Sequence, residues 1–95
     1  MKKTKLGSAI QQILGLAVGA SLLPSGISAV SGDFDKGDAV LVLNMVGQKL
    51  AQGISQYSAL ELSKIRGVKS QQIDSILGYC PSEVAIHRDD LVLLN

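Results

Sequence analysis

The chain has 95 residues, with nine lysines or arginines against eight aspartates or glutamates and a formal net charge of +1, which allows one domain with a modest core. This near-neutral balance excludes the strong overall positive charge that marks many nucleic-acid-binding proteins, so any polyanion site must arise locally. One phenylalanine, two tyrosines and one cysteine exclude a core built on aromatic residues and an intrachain disulfide, and the lone thiol suits a reducing compartment.

The first predicted element is a helix over residues 6–18. Its apolar residues recur at the three- and four-residue spacing that places side chains on one helix face. Gly19 follows as the expected C-terminal cap. The residues predicted to be buried on this face are Leu6, Ile10, Ile13, Leu14 and Ala17.

The same region also has features of a secretory signal peptide. Three lysines among the first five residues precede an apolar run from Leu14 to Leu23. Gln11 and Gln12 lie just before this run and interrupt the apolar stretch, and the helical spacing favours an amphipathic helix instead. No run reaches the roughly 18 to 20 apolar residues that span a bilayer, so the sequence excludes a transmembrane segment and predicts no membrane partner.

The stretch from Gly19 to Leu43 predicts the first hairpin of a β-rich domain. A turn bracketed by Pro24 and Gly26 leads into a short strand at residues 27–30. Residues 39–43 are apolar throughout, as in a strand that is buried on both faces or lies at a barrel seam.

The turn between these two strands contains Asp33, Asp35 and Asp38, which makes it a candidate calcium loop. An EF-hand loop needs glycine at position 6 and glutamate at position 12. Counting from Asp33 places Gly37 at position 5 and Asn44 at position 12. The spacing therefore favours Asx-type turns, in which the side chains accept hydrogen bonds from nearby backbone N–H groups, and predicts no metal site.

The remaining residues predict a returning strand, two short helices and a final strand. Gly53, inside the returning strand, indicates a bulge or a bend. Because no helices lie between the first strands, a small mixed barrel is favoured over an open α/β sheet. The predicted boundaries are a strand over 49–57, a helix opened by a capping box of Ser58 and Glu61 and ended by Gly67, a helix capped by Ser70 and ended by Gly78, and a strand over 91–94.

No stretch predicts a catalytic site. His87-Arg88-Asp89 matches the start of a protein-kinase catalytic loop, but Leu94 stands where that loop needs a magnesium-binding asparagine. One histidine and one cysteine are too few for a zinc site. Arg88 is instead expected to pair with Asp89 or Asp90 on the rim of the last strand, which is worth less than about 1 kcal/mol.

Two groups of basic residues are candidates for phosphate contacts. One is formed by the lysines of the first five residues, and the other by Lys64, Arg66 and Lys69 around the predicted interhelical turn. Lysines on solvated faces are the commoner case, and phosphate contacts carry no sequence specificity. The sequence alone therefore leaves their role open.

Four stretches, in this order, resemble the C-terminal PUA domain of bacterial glutamate 5-kinases, transferases of proline and amino-acid biosynthesis. The series is more specific than any one stretch and covers nearly the whole chain from about residue 6. The stretches are GASLLPSGISAVSGDFDKGDAV at 19–40, Gly53 with residues 55–58, LSKIRGVKSQQIDSILGY at 62–79 and VAIHRDDLVLL at 84–94.

The resemblance implies a mainly β fold, a PUA-like pseudobarrel of mostly antiparallel strands with short flanking helices. The domain is expected to span residues 6–95, with residues 1–5 disordered or foreign to it. Cleavage of a signal peptide would remove part of the family motif, so the resemblance favours a cytoplasmic location.

The resemblance also implies an accessory domain with a regulatory or assembly role and no catalysis or cofactor of its own. The amino-acid kinase domain, which holds the ATP, magnesium and glutamate sites in these enzymes, is absent from the sequence and is the expected partner. PUA domains as a class bind structured RNA, so a free-standing RNA-binding module is the alternative. Carried onto this sequence, the RNA-contacting residues would be Gly19, Ala20, Ser21, Leu22 and Arg88.

Overall fold

The computed structural model describes residues 7–12 and 20–94, which fold around one five-stranded sheet. The strands are β1 (Ala9–Gln12), β2 (Ile27–Ser31), β3 (Ala39–Leu43), β4 (Lys49–Ile54) and β5 (Leu91–Leu93). The helices are α1 (Ala59–Ile65) and α2 (Ile73–Leu77), with 3₁₀ helices at Pro24–Gly26, Ser70–Gln72 and Arg88–Asp90. The mainly β fold with short helices is therefore confirmed.

The sheet order, β2-β1-β3-β4-β5, contradicts the predicted first hairpin. β1 lies between β2 and β3, antiparallel to the former and parallel to the latter, so β2 and β3 do not pair. The β3–β4 and β4–β5 pairs are antiparallel, so three of the four strand pairs follow the mostly antiparallel expectation. The hairpin prediction was wrong because it did not include a strand before residue 20.

The predicted helix over residues 6–18 is wrong at Ala9–Gln12, because these residues form β1. Residues 13–19 lie outside the described residues. A short isolated helix gains little in water, whereas a strand inserted between two others forms hydrogen bonds on both sides. One of these contacts begins before β1, where the Ser8 carbonyl accepts a hydrogen bond from the Leu41 N–H at 3.1 Å.

The core lies on one face of the sheet and is closed by the two helices. Ile10, Val40 and Val42 contribute fully buried side chains from the sheet. Tyr57 is also fully buried, and its hydroxyl donates a hydrogen bond to the Ser82 carbonyl. Burial raises the pKa of Tyr57 to about 12. The helices contribute the buried residues Leu62, Ile65 and Ile73.

The caps predicted for the ends of the two helices are confirmed at some positions and wrong at another. The Ser58 hydroxyl accepts a hydrogen bond from the Glu61 N–H at 3.2 Å, which confirms the predicted start of α1. Gly78 ends α2 with a φ of 83°. The cap predicted at Ser70 is wrong, because its hydroxyl instead donates to the Glu83 carbonyl at 3.0 Å. No helix in the described ranges is long and apolar enough to cross a membrane.

Gly53 lies in tight contact with the segment before β5. It does not form a bulge, because the pairing of β4 with β3 and β5 is regular at this residue. The irregularity in the β3–β4 ladder lies between Val42 and Leu43. A Cβ atom at Gly53 would lie 2.6 Å from Ile86 Cγ2 and 3.0 Å from the Asp90 carbonyl oxygen. Glycine thus allows the segment before β5 to lie directly against β4.

Candidate functional site

The segment that leads into β2 is held against the segment that leads into β5. The Leu22 N–H donates to the Ile86 carbonyl at 2.9 Å, and the Leu22 carbonyl accepts from the Ala85 N–H at 2.8 Å. Leu22 and Ile86 are both buried. This isolated bridge fixes the position of Leu22 beside Ile86.

Ser21 and Arg88, both predicted as site residues, come together although they are 67 positions apart. The Arg88 N–H donates to the Ser21 hydroxyl at 3.0 Å. Ala20 is next in the chain to Ser21, while Gly19 lies outside the described residues. Four of the five predicted residues therefore lie at one junction, which we call the 20–22/88 junction.

The predicted ion pair of Arg88 with Asp89 or Asp90 is wrong. Among the described residues neither aspartate pairs with Arg88, and the Asp89 carboxylate instead lies 3.5 Å from His87 Nδ1. Arg88–Asp90 is a 3₁₀ helix, in which successive side chains point about 120° apart, so neighbours in sequence do not face each other. The exposed Arg88 side chain therefore has no carboxylate partner within residues 7–12 and 20–94.

His87 has a structural role in this turn. Its ring nitrogen Nδ1 accepts a hydrogen bond from the Asp89 N–H at 3.1 Å and so caps the 3₁₀ helix. This contact holds the backbone of the turn from which the Arg88 side chain projects.

The basic group at the end of α1 lies at the other end of the same segment. Arg66 Nη1 donates to the Ser28 carbonyl at 2.9 Å, and the Gly67 N–H donates to the Pro24 carbonyl at 2.8 Å. Residues 20–28 thus run from Arg88 at their start to Arg66 at their end. This arrangement offers guanidinium groups and a serine hydroxyl, which suit contacts with an anion better than catalysis.

The acidic turn before β3 is held by its own side chains, as predicted. The Asp35 N–H donates to Asp38 Oδ2 at 2.9 Å, and the Asp38 N–H donates to the Asp35 carbonyl at 3.1 Å. Gly37 has a φ of 91°, which favours glycine. Among the described residues, no group of three or more histidine, cysteine, aspartate or glutamate side chains is placed to hold a metal ion.

A pocket of about 260 Å³ beside the last turn was not predicted from the sequence. Its walls come from β3, β4, β5 and the 3₁₀ helix before β5, and no local pattern connects these parts of the chain. The residues that line it are Ala39, Gln52, Gly53, Ile54, Asp89, Asp90 and Val92.

The chain is similar to a known domain family, to two enzymes and to a solved structure. The sequence profile of the PUA domain family matches residues 8–77. The glutamate 5-kinase of Novosphingobium aromaticivorans is 47% identical over 79 residues, which cover 83% of this chain and 21% of the kinase. The glutamate 5-kinase of Salmonella paratyphi B is 47% identical over 74 residues, which cover 78% of this chain and 20% of the kinase.

The chain thus spans about a fifth of the length of these curated relatives, and it matches their C-terminal PUA region. Among solved structures, a PUA domain from Aeropyrum pernix K1 is similar with a TM-score of 0.58 and 17% identity. That match covers 95% of this chain and 43% of the other. At this identity the structural match supports the fold alone.

Proposed function

The chain belongs to the PUA domain family, and from that premise we propose that it is an accessory domain of a glutamate 5-kinase, with a regulatory or assembly role and no catalysis of its own. The observation that carries this proposal is the 47% identity to a glutamate 5-kinase over 79 residues. A PUA domain of similar fold is only 17% identical. The relationship to the glutamate kinases is therefore much more specific than membership of the fold. On this proposal the chain acts in proline biosynthesis in the cytoplasm.

The chemistry of the described residues supports a role without catalysis. A serine nucleophile needs a neighbouring base, but the Ser21 hydroxyl is held by a backbone N–H of Arg88. Tyr57 has a pKa near 12, too far from neutral pH for efficient proton transfer. On this proposal the phosphoryl transfer belongs to the four-fifths of the kinase that the chain does not match.

The test uses three forms of the Novosphingobium aromaticivorans kinase: the full-length enzyme, the enzyme without the 79 matched residues, and the enzyme in which this chain replaces them. ATP-dependent phosphorylation of glutamate, oligomeric mass and the response to proline are measured for each. Deletion should change at least one of the three properties, and replacement should restore it. The 95-residue chain alone should show no turnover. If the three forms of the kinase did not differ in activity, oligomeric mass or response to proline, the proposal would be wrong.

A second candidate function is the binding of structured RNA at the 20–22/88 junction. The hydrogen bond between Arg88 and Ser21 favours it, because it joins two distant parts of the chain for which RNA contacts were predicted. Arg66 at the other end of residues 20–28 would extend the contact along a phosphate backbone.

This second candidate is tested by titrating the chain with folded tRNA at two salt concentrations. Arg88→Ala should weaken binding about fivefold and reduce the salt slope by about one phosphate contact. Lys49→Ala is the control, because this exposed lysine begins β4 at the opposite end of that strand from Gly53 and the last turn. Binding that is absent, or that does not depend on salt, would exclude this function.

A further inference from the structure

The sheet has an outer face, opposite the core, which is apolar across β3, β4 and β5. Side chains alternate between the two faces along each strand, and residues paired across strands share a face. Leu41 is paired with Gln52, and Gln52 with Val92, so all three lie on the outer face. By the same pairing and alternation, Ala39 and Ile54 also lie on the outer face.

This composition is unusual for a sheet face that meets water. In most antiparallel sheets one face packs on the core and the solvated face is polar. Here Val92 is 56% exposed, and Leu41 and Ile54 are half-buried. The described helices close the opposite face, where Leu62, Ile65 and Ile73 join the core. At the end of the sheet where β3 begins, Asp89 and Asp90 of the 3₁₀ helix lie beside this face and Ala39 is buried, whereas Val92 on β5 is exposed.

The pocket lies on this outer face, at the end of the sheet where β3 begins. Gln52, Ile54 and Val92 line it from the sheet. Asp89 and Asp90 are its charged lining residues. No lysine or arginine belongs to the lining, so phosphate groups would be repelled. An apolar side chain flanked by a lysine or arginine of a protein partner fits this chemistry better than RNA.

The length of the related kinases indicates which protein partner would cover this face. The chain matches their C-terminal region, and about four-fifths of each kinase precedes that region. A preceding domain joins the PUA domain before β1, where Ser8 accepts the hydrogen bond from Leu41. Ser8 lies beside the start of β3, so the connection arrives at the end of the sheet that carries the pocket.

We propose that the outer face of β3, β4 and β5, with its pocket, is the docking surface for the preceding domain of a glutamate 5-kinase. This inference rests on the proposed function. The aliphatic residues supply the buried area, and Asp89 and Asp90 orient the partner through a basic residue on it. The RNA candidate uses a different surface, the 20–22/88 junction, so the two sites can be tested separately.

The test measures how fast N-ethylmaleimide labels a cysteine placed on each surface, with peptide mass spectrometry to resolve the sites. Val92→Cys reports on the outer face, and Leu60→Cys on α1 is the matched control, since Leu60 is 69% exposed. Each variant is labelled in the free 95-residue chain and in the Novosphingobium aromaticivorans kinase that carries this chain in place of its matched region. Labelling at Val92→Cys should slow at least tenfold in the kinase, while labelling at Leu60→Cys changes less than twofold.

Equal labelling of Val92→Cys in both proteins would overturn the proposal. Protection that rises with the concentration of the free chain would assign the face to a second copy, and protection by folded tRNA would assign it to RNA; either result overturns it too. If the replaced kinase is not recovered folded, the intact chain is added to the kinase that lacks its matched region, and the rates are compared in the same way.

The labelling experiment can fail or succeed independently of the deletion experiment that tests the proposed function. Protection of Val92→Cys in a kinase whose activity, mass and proline response do not depend on the region would keep the docking surface and remove the accessory role. A kinase that depends on the region while Val92→Cys stays reactive would keep the accessory role and remove this docking surface.

Discussion

Gly53→Ala is predicted to destabilise the chain and to displace the turn that carries Arg88. The added Cβ would lie 2.6 Å from Ile86 Cγ2, 3.0 Å from the Asp90 carbonyl oxygen and 3.1 Å from Leu91 Cδ1. Carbon atoms normally pack at about 3.5 to 4.0 Å. Ile86 is fully buried and cannot turn into solvent, so the segment must move as a unit. Overpacking of this kind costs about 1 to 3 kcal/mol.

Urea unfolding followed by far-UV circular dichroism measures this cost. With a slope of about 1 to 3 kcal/mol per molar urea, the midpoint should fall by about 1 M. Gly26→Ala is the matched control, because no heavy atom lies within 4 Å of its added Cβ and its φ is not positive. That control should stay within about 1 kcal/mol of the parent chain.

The amide resonance of Arg88 in an NMR spectrum tests the second half of the prediction. It should shift in Gly53→Ala and stay in place in Gly26→Ala, because the displaced segment carries the N–H that bonds to Ser21. If both variants unfolded at the same urea concentration with an unchanged Arg88 amide, the segment before β5 would not lie against β4. The reasoning about the junction would then be refuted.

Three further outcomes are expected. Gly32→Ala should lower the free energy of unfolding in urea by at least about 1 kcal/mol more than Gly37→Ala does. Both glycines have a positive φ, but only at Gly32 would the added Cβ meet backbone atoms, at 2.6 Å. Equal losses of stability in the two variants would contradict this prediction. Burial raises the pKa of Tyr57 from 10.0 to about 12, so the folded state keeps the phenol proton to a higher pH than the unfolded state does. The contribution to stability should be full below pH 10 and fall by about 2 to 3 kcal/mol between pH 10 and 12. Tyr57→Phe should flatten this dependence of stability on pH. Ser21→Ala should speed hydrogen exchange at the Arg88 amide several-fold without unfolding the chain, since it removes the acceptor at 3.0 Å; unchanged exchange would exclude this contact.

Several local features could be predicted because their causes lie within a few residues. Residues 39–43 form β3 at the predicted bounds, since a continuous apolar run bounded by turns has few other stable conformations. Ser58 caps α1 because its hydroxyl reaches an N–H three residues ahead. The acidic turn closes through Asp35 and Asp38 for the same reason.

The largest error concerns strand pairing between distant residues. Ala9–Gln12 form a strand because β2 and β3 supply hydrogen bonds on both sides, and neither partner is near in sequence. The helical spacing of the surrounding apolar residues gave no sign of this pairing. The ion pair predicted for the Arg88 side chain was wrong for a local reason, because the 3₁₀ helix turns the side chains of Arg88, Asp89 and Asp90 away from one another.

The sequence by itself therefore determined the β-rich class, the strands from β2 onward and the acidic turn, because these depend on local hydrogen bonds, glycine positions and apolar spacing. The family resemblance came separately, from the order of its motif stretches. Only the tertiary structure decided that β1 separates β2 from β3, that Ser21 meets Arg88, and that Leu41, Ile54 and Val92 share the outer face of the sheet. Strand order and face assignment depend on pairings between residues tens of positions apart, and a local pattern carries no information about which strand lies beside which.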